Sequence, residues 1–269
     1  MTATPVKGLN YIGGRWAPAA SEETFEDRSP ADTRVLLGAF PRSQKEDVER
    51  AVAAARKAFP AWRALSVIRR GEYLDDVAQM VKRDREDLAR LMAMECGKCI
   101  AECRADVVEG LHTLQYWAGR ARQPVGEVVA SELPEKDSSV LRKPKGVVAC
   151  ITPWNFPFAI PLWLVTPSLL VGNTVVLKPA EETPHIAGRL AEYFERASLP
   201  PGAFNLVQGY GEEAGWPLVT HPDVDVVLFT GSAQVGQMIK EACARDYKKF
   251  CVAEMGGKNA MVVFDDADP

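Results

Sequence analysis

The spacing of apolar positions changes character near residue 147. Before it, hydrophobic residues recur at helical intervals. Ser43-Gln44-Lys45-Glu46 has the form of a capping box, and Val48, Val52, Ala55 and Phe59 follow it up to Pro60. Periodic runs then extend from Ser66 to about Asp84, from Asp84 to Glu95 with Gly97 as a stop, and from about Ile100 to Arg120. The first 120 residues are therefore expected to be mostly helical. In 123–145, Val125, Val128 and Val129, then Ser138 to Leu141, predict two strands joined by a charged turn at 132–137. Such an excursion suits either a subunit contact or an ordinary surface ribbon.

From Val147 onward, short apolar runs at 147–151, 174–177, 204–207, 225–229 and 249–253 alternate with helical runs near 158–171, 183–198, 212–220 and 232–245. Five strands alternating with helices predict an α/β fold, a five-stranded parallel sheet covered on both faces. Ligands of such sheets bind at the carboxyl ends of the strands. A last apolar run, Ala260 to Phe264, predicts one more strand, and the Asp-Pro at 268–269 is expected to lead into further chain.

Gly146 to Leu177 contains no charged side chain. Its length would suffice for a membrane span, which needs roughly 20 apolar residues. Pro153, Pro157, Pro161 and Pro167 interrupt it, and Asn155 and Asn173 bring amides that lipid cannot satisfy. A buried strand ending in a rigid loop accounts for it better. Prolines flanking Trp154-Asn155 stiffen that loop, which suits it to hold an amide donor at a fixed point.

Composition narrows the classes. With 32 basic and 36 acidic residues the net charge is −4, so no basic surplus points to nucleic acid. Apolar residues make up 47%, enough for a sizeable core. Met1 to Gly8 lacks a signal core, so cytoplasmic placement is expected. Six cysteines in 269 residues do not form a secreted disulfide pattern. Cys96, Cys99 and Cys103 fall at intervals of one helical face and are expected to pack as small apolar groups, so no metal is expected. Cys150 and Cys251 are expected to be buried in strands, and Cys243 lies in a helix. His112, His185 and His221 are scattered, and no cysteine–histidine pair follows from spacing.

Three strand-end loops hold candidate chemistry, each with a plainer alternative. Lys178-Pro179-Ala180-Glu181 offers an amine and an acid that could bond ribose hydroxyls, or it is a solvated loop before a helix. Phe229-Thr230-Gly231-Ser232 could leave backbone amides for a phosphate, or Ser232 is an ordinary helix cap. Glu254, beside Gly256-Gly257, could be a general base if partial burial raises its pKa, or it is an exposed carboxylate. The usual Gly-x-Gly-x-x-Gly fingerprint is absent; Gly209-Tyr210-Gly211 with Gly215 has the wrong spacing.

Together these loops resemble the aldehyde dehydrogenase family. The resemblance rests on Ser29-Pro30-Ala31, the Ser43–Trp62 region, Pro153-Trp154-Asn155-Phe156-Pro157, Lys178-Pro179-Ala180-Glu181, Phe229-Thr230-Gly231-Ser232 with Val235-Gly236, and Glu254-Met255-Gly256-Gly257-Lys258-Asn259. It implies a Rossmann-like NAD(P)-binding domain over 1–122 and 144–254, an oligomerisation hairpin at 123–143, and the first strand of a catalytic domain at 255–269. It implies that Asn155 donates to an oxyanion and Glu254 acts as general base. Ile151, Thr152, Pro153, Trp154, Lys178, Glu181, Gly211, Phe229, Gly231, Ser232, Val235 and Met255 would bind the cofactor, and Phe156, Ile160 and Trp163 would line an aldehyde tunnel. The implied reaction oxidises an aldehyde to an acid through a cysteine thiohemiacetal and thioester. NAD is the expected cofactor, with NADP possible, because Glu181 would oppose a 2′-phosphate. A homodimer or homotetramer is implied.

One departure is large. The family's nucleophilic cysteine stands in a Gly-Gln-x-Cys context downstream of the Glu-x-Gly-Gly-Lys segment, and none of the six cysteines has that context. These residues alone are therefore not expected to oxidise aldehydes. Two alternatives use the same features: a non-catalytic dinucleotide-binding or assembly module, and a thiol hydrolase using Cys150 or Cys251. Met255, where the family more often has leucine, is a milder variation.

Overall fold

The computed structural model describes residues 5–268; Met1–Thr4, from the segment read for a signal core, and Pro269, of the terminal Asp-Pro, lie outside the described residues. The chain opens with five short strands: β1 (Val6–Lys7), β2 (Asn10–Ile12), β3 (Arg15–Ala17), β4 (Thr24–Arg28) and β5 (Leu36–Pro41). Helices α1 (Lys45–Ala64), α2 (Val67–Cys96) and α3 (Ile100–Arg120) follow, then the hairpin strands β6 (Gly126–Val129) and β7 (Ser138–Leu141). The alternating half comprises β8 (Val147–Ile151), α4 (Ala159–Leu170), β9 (Thr174–Lys178), α5 (Pro184–Arg196) and β10 (Phe204–Leu206). It continues with a π turn at Gly211–Gly215, α6 (Trp216–Thr220), β11 (Val226–Thr230), α7 (Ala233–Ala244) and β12 (Phe250–Glu254).

The expected parallel sheet is present and is larger than five strands. Its order is β12-β11-β8-β9-β10-β2-β3; the first five are mutually parallel, and β2 joins β10 antiparallel through Tyr11↔Leu206. A second sheet, β1-β5-β4, stands beside it. The first 120 residues are mostly helical, as expected, but these five strands ahead of α1 were not foreseen. Each is only two to six residues long, and β1 and β2 pair with partners far along the chain, so local periodicity could not reveal them.

Helix boundaries shift for identifiable reasons. The box at the start of α1 sits one residue later than expected: the backbone N–H of Gln44 donates to Asp47, while Ser43 Oγ accepts from Asn10. Helix α1 runs through Pro60 to Ala64; Pro60 is exposed, where water can satisfy the carbonyl freed by its missing N–H. The two helices expected at 66–95 are one, α2. Asp84, which resembles a cap, instead accepts laterally from the Tyr193 hydroxyl at 3.1 Å. Gly97 ends α2 as a left-handed cap (φ 72°), a conformation that favours glycine. The expected strand 260–264 is not formed: Met261, Val262, Val263 and Phe264 are exposed and have no strand to pair with among the described residues.

Period-two alternation in β8 sends side chains into two cores. Val148 and Cys150 join a large core with α2 to α5; Val147 and Ala149 join a smaller one with α1, α6 and α7. Phe158, Phe194 and Phe204 are fully buried in the larger core, each contributing about 1.5–3 kcal/mol of transfer free energy. The charge-free stretch of the sequence thus becomes β8, the all-buried side of α4, and β9, at the centre of the molecule. Among the described residues, no helix is long and apolar enough to cross a membrane.

Candidate functional site

Strand order locates the ligand crevice without reference to any motif. From β8 the chain proceeds to β9 and β10 on one side, then returns to place β11 and β12 on the other. The order reverses between β8 and β11, and open α/β sheets bind ligands outside the carboxyl ends at such a reversal. The loops that meet there are 152–158 and 231–232, two of those singled out by sequence. Register extends the row: Lys178 pairs with Ile151, Ile151 with Phe229, and Phe229 with Ala253. Lys178, Ile151, Phe229–Thr230 and Glu254 therefore share one edge, spread over three strand spacings of about 4.8 Å each.

At one end of this row Lys178 is buried (3% exposed), and its ammonium donates to Glu181 at 2.8 Å. The amine and acid form a compact donor–acceptor pair, as recognition of a vicinal diol requires. The π turn beginning at Gly211 leaves open space where a side chain would stand at that glycine. At the other side of the reversal, Ser232 caps α7 by accepting from the Val235 amide at 3.3 Å. The cap reading of Ser232 is thus correct, yet Ser232 to Val235 remain exposed, and helix N-termini favour anions. Gly231 donates its amide to the Glu254 carbonyl at 3.1 Å, tying the two turns together. A Cβ at Gly236 would sit 2.5 Å from the Met255 sulfur, so glycine there lets Met255 lie across the first turns of α7. Diol-matched groups at one end and an exposed helix start at the other fit a nucleotide.

Trp154, Asn155 and Phe156 are exposed on the 152–158 loop, while Thr152 is buried and its Oγ1 has no protein partner. Of the expected tunnel residues, Phe156 and Trp163 are exposed and Ile160 is buried. Trp163 borders a hollow of 360 Å³ beside Glu109, His112, Tyr116 and Trp117 of α3. A larger cleft of 910 Å³, on the β4 side, takes in Trp154 and Glu181 together with Phe25, Arg42, Glu95 and Tyr210. The other expected cofactor residues lie along the open edge rather than in that cleft.

Of the two readings of Glu254 the exposed carboxylate is the one found, because β12 is the edge strand of its sheet and nothing among the described residues covers its outer side. Two expectations are corrected here. Cys251 is half-exposed for the same reason. Cys96, Cys99 and Cys103 do not share a helix: Cys96 ends α2, Cys99 caps α3 and Cys103 lies within it. Burial pushes the thiols of Cys96 and Cys243 up to about 12 and that of Cys150 higher still, the opposite of activation. A hydrolase built on Cys150 has no support in this environment. Among the described residues no cluster of three or more metal-ligating side chains occurs.

The structure also adds residues that sequence reading passed over. Lys98 donates to the Asn155 carbonyl at 2.8 Å and to Asp106 at 3.3 Å, and lies 3.9 Å from the Phe156 ring centroid. Asp106 accepts from the Ala159 amide at 2.8 Å, and the Cys96 thiol donates to the Trp154 carbonyl at 3.1 Å. Burial raises the Asp106 carboxyl above its usual range, opposed by the Ala159 amide and the Lys98 ammonium. A signal was available. Asp106 lies among Cys103, Val107, Gly110 and Leu114 on the buried face of α3, where an acid needs a partner.

Comparison with known proteins bears on this geometry. Residues 16–269 match the aldehyde dehydrogenase family. The chain is 42% identical over 260 residues to the α-ketoglutaric semialdehyde dehydrogenase of Bacillus subtilis, covering 97% of this chain and 53% of that protein. It is 40% identical to mouse aldehyde dehydrogenase 1A1 over 262 residues, 96% of this chain and 52% of that protein. An NAD-dependent aldehyde dehydrogenase from Sinorhizobium meliloti superposes with a TM-score of 0.92 at 40% identity, over 98% of this chain and 53% of its own. The betaine aldehyde dehydrogenase of Staphylococcus aureus, solved in complex with NAD+, gives 0.90 at 36% identity, over 97% of this chain and 52% of its own. The chain thus spans about half the length of the relatives it matches. Agreement in sequence, fold and strand-end loops has one meaning: the chain belongs to the aldehyde dehydrogenase family.

Proposed function

We propose that these residues form the coenzyme-binding half of an NAD+-dependent aldehyde dehydrogenase, whose nucleophilic thiol is supplied by chain outside residues 1–269. The observation that carries this reading is the register-aligned row at the carboxyl edge, with Lys178–Glu181 at one end, the reversal loops in the middle and Glu254 at the other. NAD+, when bound, supplies the hydride acceptor. Lys178 and Glu181 hold its adenosine ribose, and the start of α7 faces its pyrophosphate.

The remaining steps belong to protein groups. A thiolate adds to the aldehyde carbon, and the electron pair of the carbonyl moves to oxygen. The Asn155 side-chain amide donates to that oxyanion from a loop with little freedom to move. Loss of hydride leaves a thioester. Glu254 takes a proton from water as it attacks the thioester carbonyl, and the thiolate departs as the acid forms. An exposed Glu254 can serve this step because its reactant is water.

NAD+ is favoured over NADP+ because the Glu181 carboxylate, 2.8 Å from Lys178, opposes a 2′-phosphate. The substrate class is a small aldehyde; a semialdehyde of amino-acid catabolism, such as glutamate semialdehyde, accords with the semialdehyde dehydrogenases among the relatives. The β6–β7 hairpin, with Val128, Val140 and Leu141 exposed, suits pairing with a second subunit in a homodimer or homotetramer. Cytoplasmic placement completes the reading.

The deciding experiment has two parts. Calorimetric titration of residues 1–269 with NAD+ should show saturable binding that Lys178→Met weakens; no binding overturns the coenzyme assignment. Reading the gene past Pro269 should then reveal a Gly-Gln-x-Cys segment. A stop codon there would favour the binding-module alternative.

A further inference from the structure

A loop that carries a catalytic amide must hold it to a fraction of an ångström, and stiff prolines alone do not set where the loop sits. The loop of residues 154–159 is gripped from the end of α2, the α2–α3 connection and α3. The Cys96 thiol takes the carbonyl of Trp154, the Lys98 ammonium takes the carbonyl of Asn155, and the Asp106 carboxylate takes the amide of Ala159. Lys98 and Asp106 also bond each other at 3.3 Å, so two of the three anchors form one unit. An ammonium has three protons. Those of Lys98 face the Asn155 carbonyl, Asp106 and the face of Phe156, leaving none for a substrate. Asp106 is fully buried, and the Lys98 side chain is only 13% exposed.

Buried ion pairs are poor stabilisers, because desolvation offsets their attraction, and apolar replacements of similar volume are often neutral. A buried lysine–carboxylate pair that spans residues 155–159 is therefore weak evidence of a stabilising role. What it does supply is direction. We propose that Lys98 and Asp106 are positioning residues for the oxyanion donor: clamping residues 155 and 159 from the α2–α3 connection and from α3, they fix where the Asn155 amide points. Neither touches the substrate; both act through Asn155. The inference rests on the aldehyde-oxidising reading given above.

A double-mutant cycle in the full-length polypeptide tests it, followed as single-turnover NADH formation at saturating NAD+. Lys98→Met is expected to slow that step at least tenfold while NAD+ affinity stays within twofold. In an Asn155→Ala background the same substitution should add less than twofold, because the group it positions is gone. Less than twofold slowing in the otherwise wild-type chain, or equal slowing in both backgrounds, overturns the proposal. Should Lys98→Met fail to fold, Asp106→Asn decides by the same cycle: it keeps an acceptor for Ala159 and removes the charge that holds Lys98. An active wild type indifferent to both substitutions sinks only this inference, whereas a wild type that carries the thiol and forms no NADH sinks the functional reading beneath it.

Discussion

The two turns that bear Asn155 and Glu254 stand at the same sheet edge and are built in opposite ways. The Asn155 turn follows the central strand β8, and side chains from α2, α3 and the residues between them hold it at residues 154, 155 and 159. The Glu254 turn follows the edge strand β12, is exposed, and is tied inward by the Gly231 amide and the packing of Met255 on Gly236. The difference matches the chemistry proposed for each. A donor to an oxyanion works by preorganisation and loses its value if it must reorient. A base that activates water needs reach and solvent, and tolerates a looser seat.

Removing the base should give the largest effect. Glu254→Gln in the full-length polypeptide is expected to slow steady-state aldehyde oxidation by about 10²–10⁴-fold, the usual range for a positioned base. If water attack on the thioester is the step lost, a burst of NADH should survive while turnover collapses. Asn155→Ala should instead abolish the burst, with a loss of about 10²–10³-fold typical of one oxyanion donor. Equal effects on burst and turnover in both variants would erase the distinction between the turns.

Legibility in the sequence followed the same divide. The alternating half and the hairpin were readable because their strands carry short runs rich in apolar residues bounded by turn residues. The first 41 residues were not, since their strands are only two to six residues long, and Val6–Lys7 and Asn10–Ile12 join their sheets through partners far along the chain. At the site, loops were legible and their supports were not. Trp154, Asn155, Lys178 and Glu254 stand in short motifs, but Lys98 reaches Asn155 across 57 residues of sequence, and no periodicity encodes that contact. The exposure of Glu254 stayed open because an apolar strand says nothing of whether it ends up central or at an edge.

A smaller effect is expected at the Lys178 end. Glu181→Gln keeps a hydrogen-bonding group and removes the charge that opposes a 2′-phosphate. NADP+ affinity should rise roughly tenfold relative to NAD+, equivalent to about 1.4 kcal/mol. Calorimetric titration of both cofactors against residues 1–269 measures it, and an unchanged ratio would show that Glu181 does not select the cofactor. Because neither Asn155 nor Glu254 bonds Lys178 or Glu181, neither Asn155→Ala nor Glu254→Gln should move that ratio.

The smallest effect concerns a pair behind the site, where α2 meets the second sheet. Burial pushes the Asp27 carboxyl up to about 6, and burial together with the Asp27 charge raises Glu95 as well. Glu95 also accepts from the amides of His185 and Ile186 at the start of α5, which oppose that rise. Asp27 is buried, and its Oδ2 has no partner. A carboxyl whose folded pKa lies above its unfolded value of about 3.9 binds more protons in the native state between those two values. Its contribution to stability is fully present below pH 4, falls as pH rises through about 6, and is lost above that. Other groups run the opposite way: arginine partners hold Glu86 down at about 2, so total stability need not peak in acid. The pair is therefore isolated by difference. Asp27→Asn keeps the shape and removes the titration, and should raise the melting temperature by on the order of 2–4 °C at pH 7.5, with the gain vanishing near pH 4. Melting curves of residues 1–269 across that range decide it: parallel profiles for the two proteins would mean that Asp27 is ionised in the fold, with its charge accommodated by partners other than a shared proton.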